Sequence, residues 1–270
     1  MFPNSSGEMS MEFWDCNCFL GRPVKSIYKP AESVPALLET MDAVGIARAL
    51  VWHIAQFDCS PQDGNRLASE AIRESERLLG CWAILPPVTG EMFHGTGMLR
   101  EAFRPEAFLA EMKRNRTVAL RAFPDQNRYL ANRATFGAFL DEVAACRIPL
   151  LLSPERSIGW PAIHALLTDF PNLTCILCDI GIWGQDRYAW PLLETYPNVR
   201  VETSYLALEA GGIAASVARF GGERFVFGTG FPMRYPEAST LALIHAEISE
   251  EDKHKIAEAN FDRLIQEARL

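Results

Sequence analysis

Residues 148–179 read IPLLLSPERSIGWPAIHALLTDFPNLTCILCD, and this stretch decides the fold. It opens on a strand-like run over 148–153, apolar through Leu152, and closes on a second over 173–178, interrupted only by Thr174. Near-continuous apolar runs of this length belong to strands buried on both faces, as parallel strands are. Between them Ile163, Leu166 and Leu167 recur at helical spacing within Ile158–Phe170, and Pro171-Asn172 marks the turn into the second run. The stretch is therefore one strand–helix–strand crossover. Each run ends on a polar residue, Ser153 in the first and Asp179 in the second, with Arg156 just beyond Ser153.

The same grammar extends in both directions. Strands are predicted over 12–17, 47–53, 80–85, 117–122, 148–153, 173–178, 199–204 and 224–228, which makes eight. Amphipathic helical patterns lie between them, over Ala31–Val44, Gly64–Leu79, Thr135–Cys146, Ile158–Phe170 and Leu206–Phe220. No linker or composition break divides residues 1–270, so we expect one domain. Eight βα units in one domain predict a single parallel (β/α)8 TIM-type barrel, an α/β fold whose usual length matches this chain. An open doubly wound sheet is the alternative. It is disfavoured because no Gly-rich phosphate-binding turn follows an early strand. The stretch Pro86–Pro105 carries several glycines and prolines and reads as a lid-like loop.

The chain has 270 residues, 49% of them hydrophobic, and a formal net charge of −8. That balance argues against a nucleic-acid groove or an anionic membrane surface and predicts a small-molecule partner, with a homo-oligomer left open. No run approaches the length of a membrane span, and no signal peptide is evident. Seven cysteines in mostly apolar runs suit buried free thiols, hence a cytoplasmic protein. Neither Cys16/Cys18 nor Cys175/Cys178 has the spacing of a zinc knuckle.

A barrel of this type carries its site at the C-terminal strand ends. Those ends deliver Asp15 and Asn17, His53, Arg121, Ser153 with Glu155 and Arg156, Asp179, Glu202 and Ser204, and Thr229, the last followed by Arg234. Strand alternation puts Asp15 and Asn17 together toward the lumen and Cys16 and Cys18 toward the helices. Asp15 or His53 is the expected base, the latter because a strand-end histidine titrates near neutrality. Asp179 completes the expected catalytic set. Arg121 is the expected anchor for a carboxylate or phosphate, with Asn17, Ser153, Arg156, Ser204, Thr229 and Trp183 lining the substrate. Each has a plainer reading too: Arg121 could pair with Asp179 or Glu202 only to hold the barrel together, and a lone histidine after an apolar strand is often structural.

The segments Phe13-Trp14-Asp15-Cys16-Asn17-Cys18-Phe19 and Phe227-Gly228-Thr229-Gly230-Phe231-Pro232 resemble the first and last strands of the amidohydrolase superfamily, in its branch of aromatic-acid decarboxylases and lactone hydrolases. Val201-Glu202-Thr203-Ser204 is similar to that family's seventh strand, and the tail 256–264 to its closing helix. The resemblance implies a barrel enzyme, a hydrolase or related lyase, acting on a small anionic organic substrate. It also implies a metal site, which that family writes as Asp-x-His-x-His on the first strand and Gly-Ser/Thr-Asp-x-Pro on the last. Here Asn17 and Phe19 stand at the two histidine positions and Gly230 at the aspartate position. Ser153 stands near the fifth strand's ligand, and Asp179 at the sixth strand's histidine. No cofactor and no zinc are therefore expected, with a divalent metal ion on Asp15, Asn17 and Asp179 as the alternative. A non-catalytic relative that only binds a small molecule is the competing functional class.

Overall fold

A computed structural model describes residues 11–91, 105–154 and 156–270. Part of the lid-like loop expected over Pro86–Pro105 therefore lies outside the described residues. Its first residues form a single 3-10 turn, Pro87–Thr89.

Eight strands line up in chain order in one parallel sheet: β1 Phe13–Leu20, β2 Ile46–His53, β3 Leu78–Ala83, β4 Thr117–Arg121, β5 Leu150–Leu152, β6 Cys175–Leu177, β7 Val199–Glu202 and β8 Phe225–Val226. The sheet curls until its ends meet. Cys16 N–H donates to the Phe227 carbonyl (3.0 Å) and Gly230 N–H to the Asn17 carbonyl (2.9 Å), bringing β1 against the segment after β8. The fold is a single-domain (β/α)8 barrel.

Two apolar shells hold it. One residue set from the strands points inward: Cys16, Leu50, Cys81, Ala119, Leu151, Ile176 and Val226. Their neighbours, among them Ala49, Val51, Leu120, Leu150, Leu152 and Cys175, pack outward with helix residues such as Leu37, Met41, Phe139, Leu166 and Leu243. Phe261 and Leu264 of the closing helix Asn260–Glu267 join the inner set, with Trp14, Leu79 and Val118 from the N-terminal strand ends against it. That helix thus plugs the floor of the barrel. Helix starts follow simple chemistry. Ser33, Ser60 and Asn132 side chains accept the N–H groups of Ala36, Asp63 and Thr135 at the first turns of Val34–Val44, Pro61–Ile72 and Arg133–Ala145.

Two expectations need correction. The helix expected over Gly64–Leu79 stops at Ile72, because Leu78 and Leu79 already belong to β3. More consequentially, the register of β1 against β2 slips between Asp15, opposite Ala49, and Cys18, opposite Val51. Three steps along β1 match two along β2, so one residue bulges and the alternation resets. Cys16 therefore lies in the inner cluster rather than toward the helices, while Cys18 faces outward as expected.

Candidate functional site

The C-terminal end of the lumen gathers polar and charged side chains. Arg121, the last residue of β4, is 1% exposed. Its Nη1 donates to Asn17 Oδ1 at 2.8 Å and its Nη2 to Ser153 Oγ at 2.6 Å. The Asp179 carboxylate lies 3.8 Å from Nη2. Trp52 and Phe123 flank the guanidinium, with ring centroids 4.8 and 5.5 Å from its carbon. Among the described residues its Nε has no hydrogen-bond partner.

Asp179 is the hub. Beyond Arg121 it meets Arg234 Nη1 at 2.9 Å and Arg156 Nε at 3.5 Å. Strand alternation alone would turn it away from the lumen, since Cys178 before it points inward. A left-handed backbone, φ 62°, re-aims it, a conformation that aspartate tolerates better than most residues. Burial pushes its carboxyl up, but Arg156, Arg234 and Arg121 outweigh that and hold it below the ordinary carboxylate range.

A second carboxylate sits behind. Glu202, ending β7 and fully buried, accepts from Ser204 N–H (2.6 Å), Asp179 N–H (3.1 Å) and Asn17 Nδ2 (3.2 Å). The last bond settles the Asn17 amide with its oxygen toward Arg121. Burial raises the Glu202 carboxyl, and the neighbouring Asp179 charge adds to the rise against the opposing Ser204 bond. Arg234 also donates to Ser204 Oγ (2.8 Å) and covers the Tyr205 ring at 3.8 Å.

Above this layer opens a cavity of about 440 Å³. Arg121 and Trp52 form part of its lining, Phe57, Phe123, Tyr205 and Met233 add apolar surface, and Lys25, Arg156, Arg234 and Asp58 bring charge. Three guanidinium groups and one ammonium thus face two buried carboxylates and Asp58, and the mouth is left with a positive surplus.

Of the residues singled out from sequence, the fold gathers Asn17, Arg121, Ser153, Arg156, Asp179 and Ser204 in one cluster. Asp15 and Thr229 form a separate unit between β1 and the segment after β8. Asp15 accepts Thr229 Oγ1–H at 2.5 Å, Thr229 N–H at 3.0 Å and Asn17 N–H at 2.9 Å. It is 1% exposed and outside the cavity lining. Burial raises its carboxyl against those bonds. His53 stands apart as well. Its Nδ1 accepts Ala55 N–H (3.1 Å), Gly21 lies against its Nε2 edge, and partial burial lowers its pKa. Trp183 is 76% exposed, its backbone N–H donates to Glu209, and it does not line the cavity. Among the described residues no group of three or more His, Cys, Asp or Glu side chains is placed to hold a metal ion.

Sequence reasoning placed Glu202 at a strand end and as a pairing partner for Arg121, but gave it no catalytic or binding role. Val199 and Val201 alternate with Arg200 and Glu202, so the polar pair had to face inward. Tyr205, Met233, Phe57 and Lys25 carried no such signal, since they lie in connections that only the closed barrel places.

An eight-stranded parallel barrel with a polar cluster at its strand ends defines a broad class. Within it the chain is specific: an amidohydrolase family model matches residues 21–264, and the chain belongs to that family. No curated protein matches it. Three solved structures share the fold at low identity. The 2,6-dihydroxybenzoate decarboxylase from Rhizobium is 16% identical, with a TM-score of 0.66 over 95% of this chain and 99% of that one. A dihydroxybenzoic acid decarboxylase from Polaromonas, bound to manganese and 2-nitroresorcinol, is 15% identical, with a TM-score of 0.63 over 96% and 98%. A probable 2-pyrone-4,6-dicarboxylic acid hydrolase from Acinetobacter baumannii, with citric acid bound, is 13% identical, with a TM-score of 0.64 over 94% and 99%.

Proposed function

We propose that the mouth of this barrel binds a small organic acid, aromatic or polycarboxylic, with its carboxylate against Arg156 and Arg234. The observation that carries the reading is the cavity of about 440 Å³ in which two guanidiniums and Lys25 face aromatic walls. Such a volume suits a single-ring ligand with room for solvent. Both arginines already lean on Asp179, so their geometry is set before the ligand arrives and little order is lost on binding. The names of the structural neighbours, which act on dihydroxybenzoates and a pyrone dicarboxylate, support the same substrate class. Arg121 lines the back of the same cavity, where Asn17 and Ser153 take one N–H from each terminal nitrogen, so it keeps donors for an acid that reaches that depth.

A second reading, hydrolysis or decarboxylation of that acid, is favoured by family membership. In it Arg156 and Arg234 would hold the substrate's carboxylate and the aromatic walls would orient its ring, with water from the open mouth as the co-reactant if the reaction is hydrolysis. Asp15 is the weaker candidate for the base, since Thr229 seals it away from the cavity. His53 is weakened because its Nδ1 is occupied by a backbone N–H.

The test is calorimetric titration with benzoate, 2,6-dihydroxybenzoate, 2-pyrone-4,6-dicarboxylate and citrate, followed by mass spectrometry of the mixtures for decarboxylated or ring-opened product. At least one acid should bind saturably, and Arg156→Ala should weaken it about tenfold or more. Absence of saturable binding across the panel would remove the reading. Product formation would decide for the enzyme over the plain binder.

A further inference from the structure

The strand-end positions that the family resemblance assigns to a metal are held by side chains that pack against one another. Asn17 offers Arg121 its amide oxygen, Ser153 its hydroxyl and Asp179 a carboxylate oxygen. Phe19, at the second histidine position, is turned onto Trp52 with ring centroids 4.7 Å apart. At Gly230, the aspartate position, an added Cβ would come within 2.2 Å of Arg234 Nη1, so the guanidinium of Arg234 fills the space a side chain there would need. The donor set does not fit a divalent transition ion, which needs three or more N, O or S ligands free to converge on it. The amide, hydroxyl and carboxylate present converge on a guanidinium instead.

We propose that Arg121 is a built-in cation occupying the place where a metal-dependent relative holds its ion, and that Arg234 excludes the ligand that would complete such a site. Arg121 presents its N–H donors in one plane, and Trp52 and Phe123 clamp that plane. The Asn17 amide is locked as an acceptor by Glu202, which suits a hydrogen-bond donor in this space. The site therefore keeps one fixed positive charge facing the cavity without depending on metal supply. This holds whichever acid the mouth takes.

Two measurements test it. Wild-type protein and Asp179→Asn are each dialysed against EDTA, then titrated with manganese and with zinc and assayed by elemental analysis. The expected result is no ion that depends on Asp179, and an unchanged wild-type melting temperature in EDTA. Retention of about one ion per wild-type chain that Asp179→Asn loses overturns the proposal. In the second, Arg121→Gly is melted with millimolar methylguanidinium or methylammonium. Methylguanidinium should raise its melting temperature, methylammonium should not, and neither should raise that of the wild type. Equal response to the two cations overturns the guanidinium-specific place. Should Arg121→Gly fail to fold, the metal titration of the wild type still decides.

Discussion

The two ends of the lumen are built on the same strands and obey opposite rules. At the floor, Phe261 and Leu264 close over an inner layer dominated by apolar side chains, including Leu50, Ala119, Leu151 and Ile176. At the mouth, the same strands end in Arg121, Ser153, Glu202 and, one turn of backbone later, Asp179, all buried. The floor needs only volume to be filled. The mouth needs every charge answered, since an unpaired buried ion costs several kcal/mol. The contrast shows where the fold puts its stability and where it can put chemistry.

The sharpest way to break the contrast is Asp179→Ala, which leaves three arginines facing one another. We expect a loss of about 3–5 kcal/mol in denaturant unfolding together with lost ligand binding. Leu151→Ala on the inner layer should cost about 2–4 kcal/mol through the cavity it opens, while leaving ligand affinity within a factor of about two. Equal loss of affinity in both variants would mean that mouth and floor are not separable. Thr229→Val, which takes the hydroxyl from Asp15, should cost about 1–3 kcal/mol and leave the cavity residues in place.

Titration separates the buried carboxylates at the strand ends by sign. Asp179 is held below its ordinary pKa, so its stabilisation is present above the unfolded carboxylate value and is lost as the pH falls through the lower folded value. Glu202 and Asp15 are raised, so their ionised forms oppose folding, and stability rises as the pH falls through their folded values. From neutral pH downward, the wild type should first gain and then lose stability in urea melts. Glu202→Gln should flatten the gain, and Asp179→Asn should flatten the loss. A wild-type profile that falls monotonically from pH 7 would contradict the assignment. The smallest effect is expected of His53→Ala, about 1 kcal/mol or less from the lost bond to Ala55 N–H, with ligand affinity unchanged.

Much of the fold was legible because burial leaves marks along the chain. Strands covered on both faces read as near-continuous apolar runs, and helices lying on them show one apolar stripe, so 148–179 already contained a full crossover and its repetition implied the barrel. The strand-end rule likewise pointed to Arg121, Ser153, Asp179 and Asn17. What stayed hidden was who faces whom. A bulge in β1 parts Asp15 from Asn17, although alternation would keep them together. A left-handed residue turns Asp179 into the cluster, where alternation would turn it out. Arg234, from the connection after β8, fills the space beside Gly230, and Glu202 binds Asn17 across 185 residues of chain. Sequence by itself determined which segments are buried and in what order, because periodicity records burial locally. Only the closed barrel decided that Arg121 meets Asn17, Ser153 and Asp179, because pairing between buried polar groups depends on distances through space that no local pattern encodes.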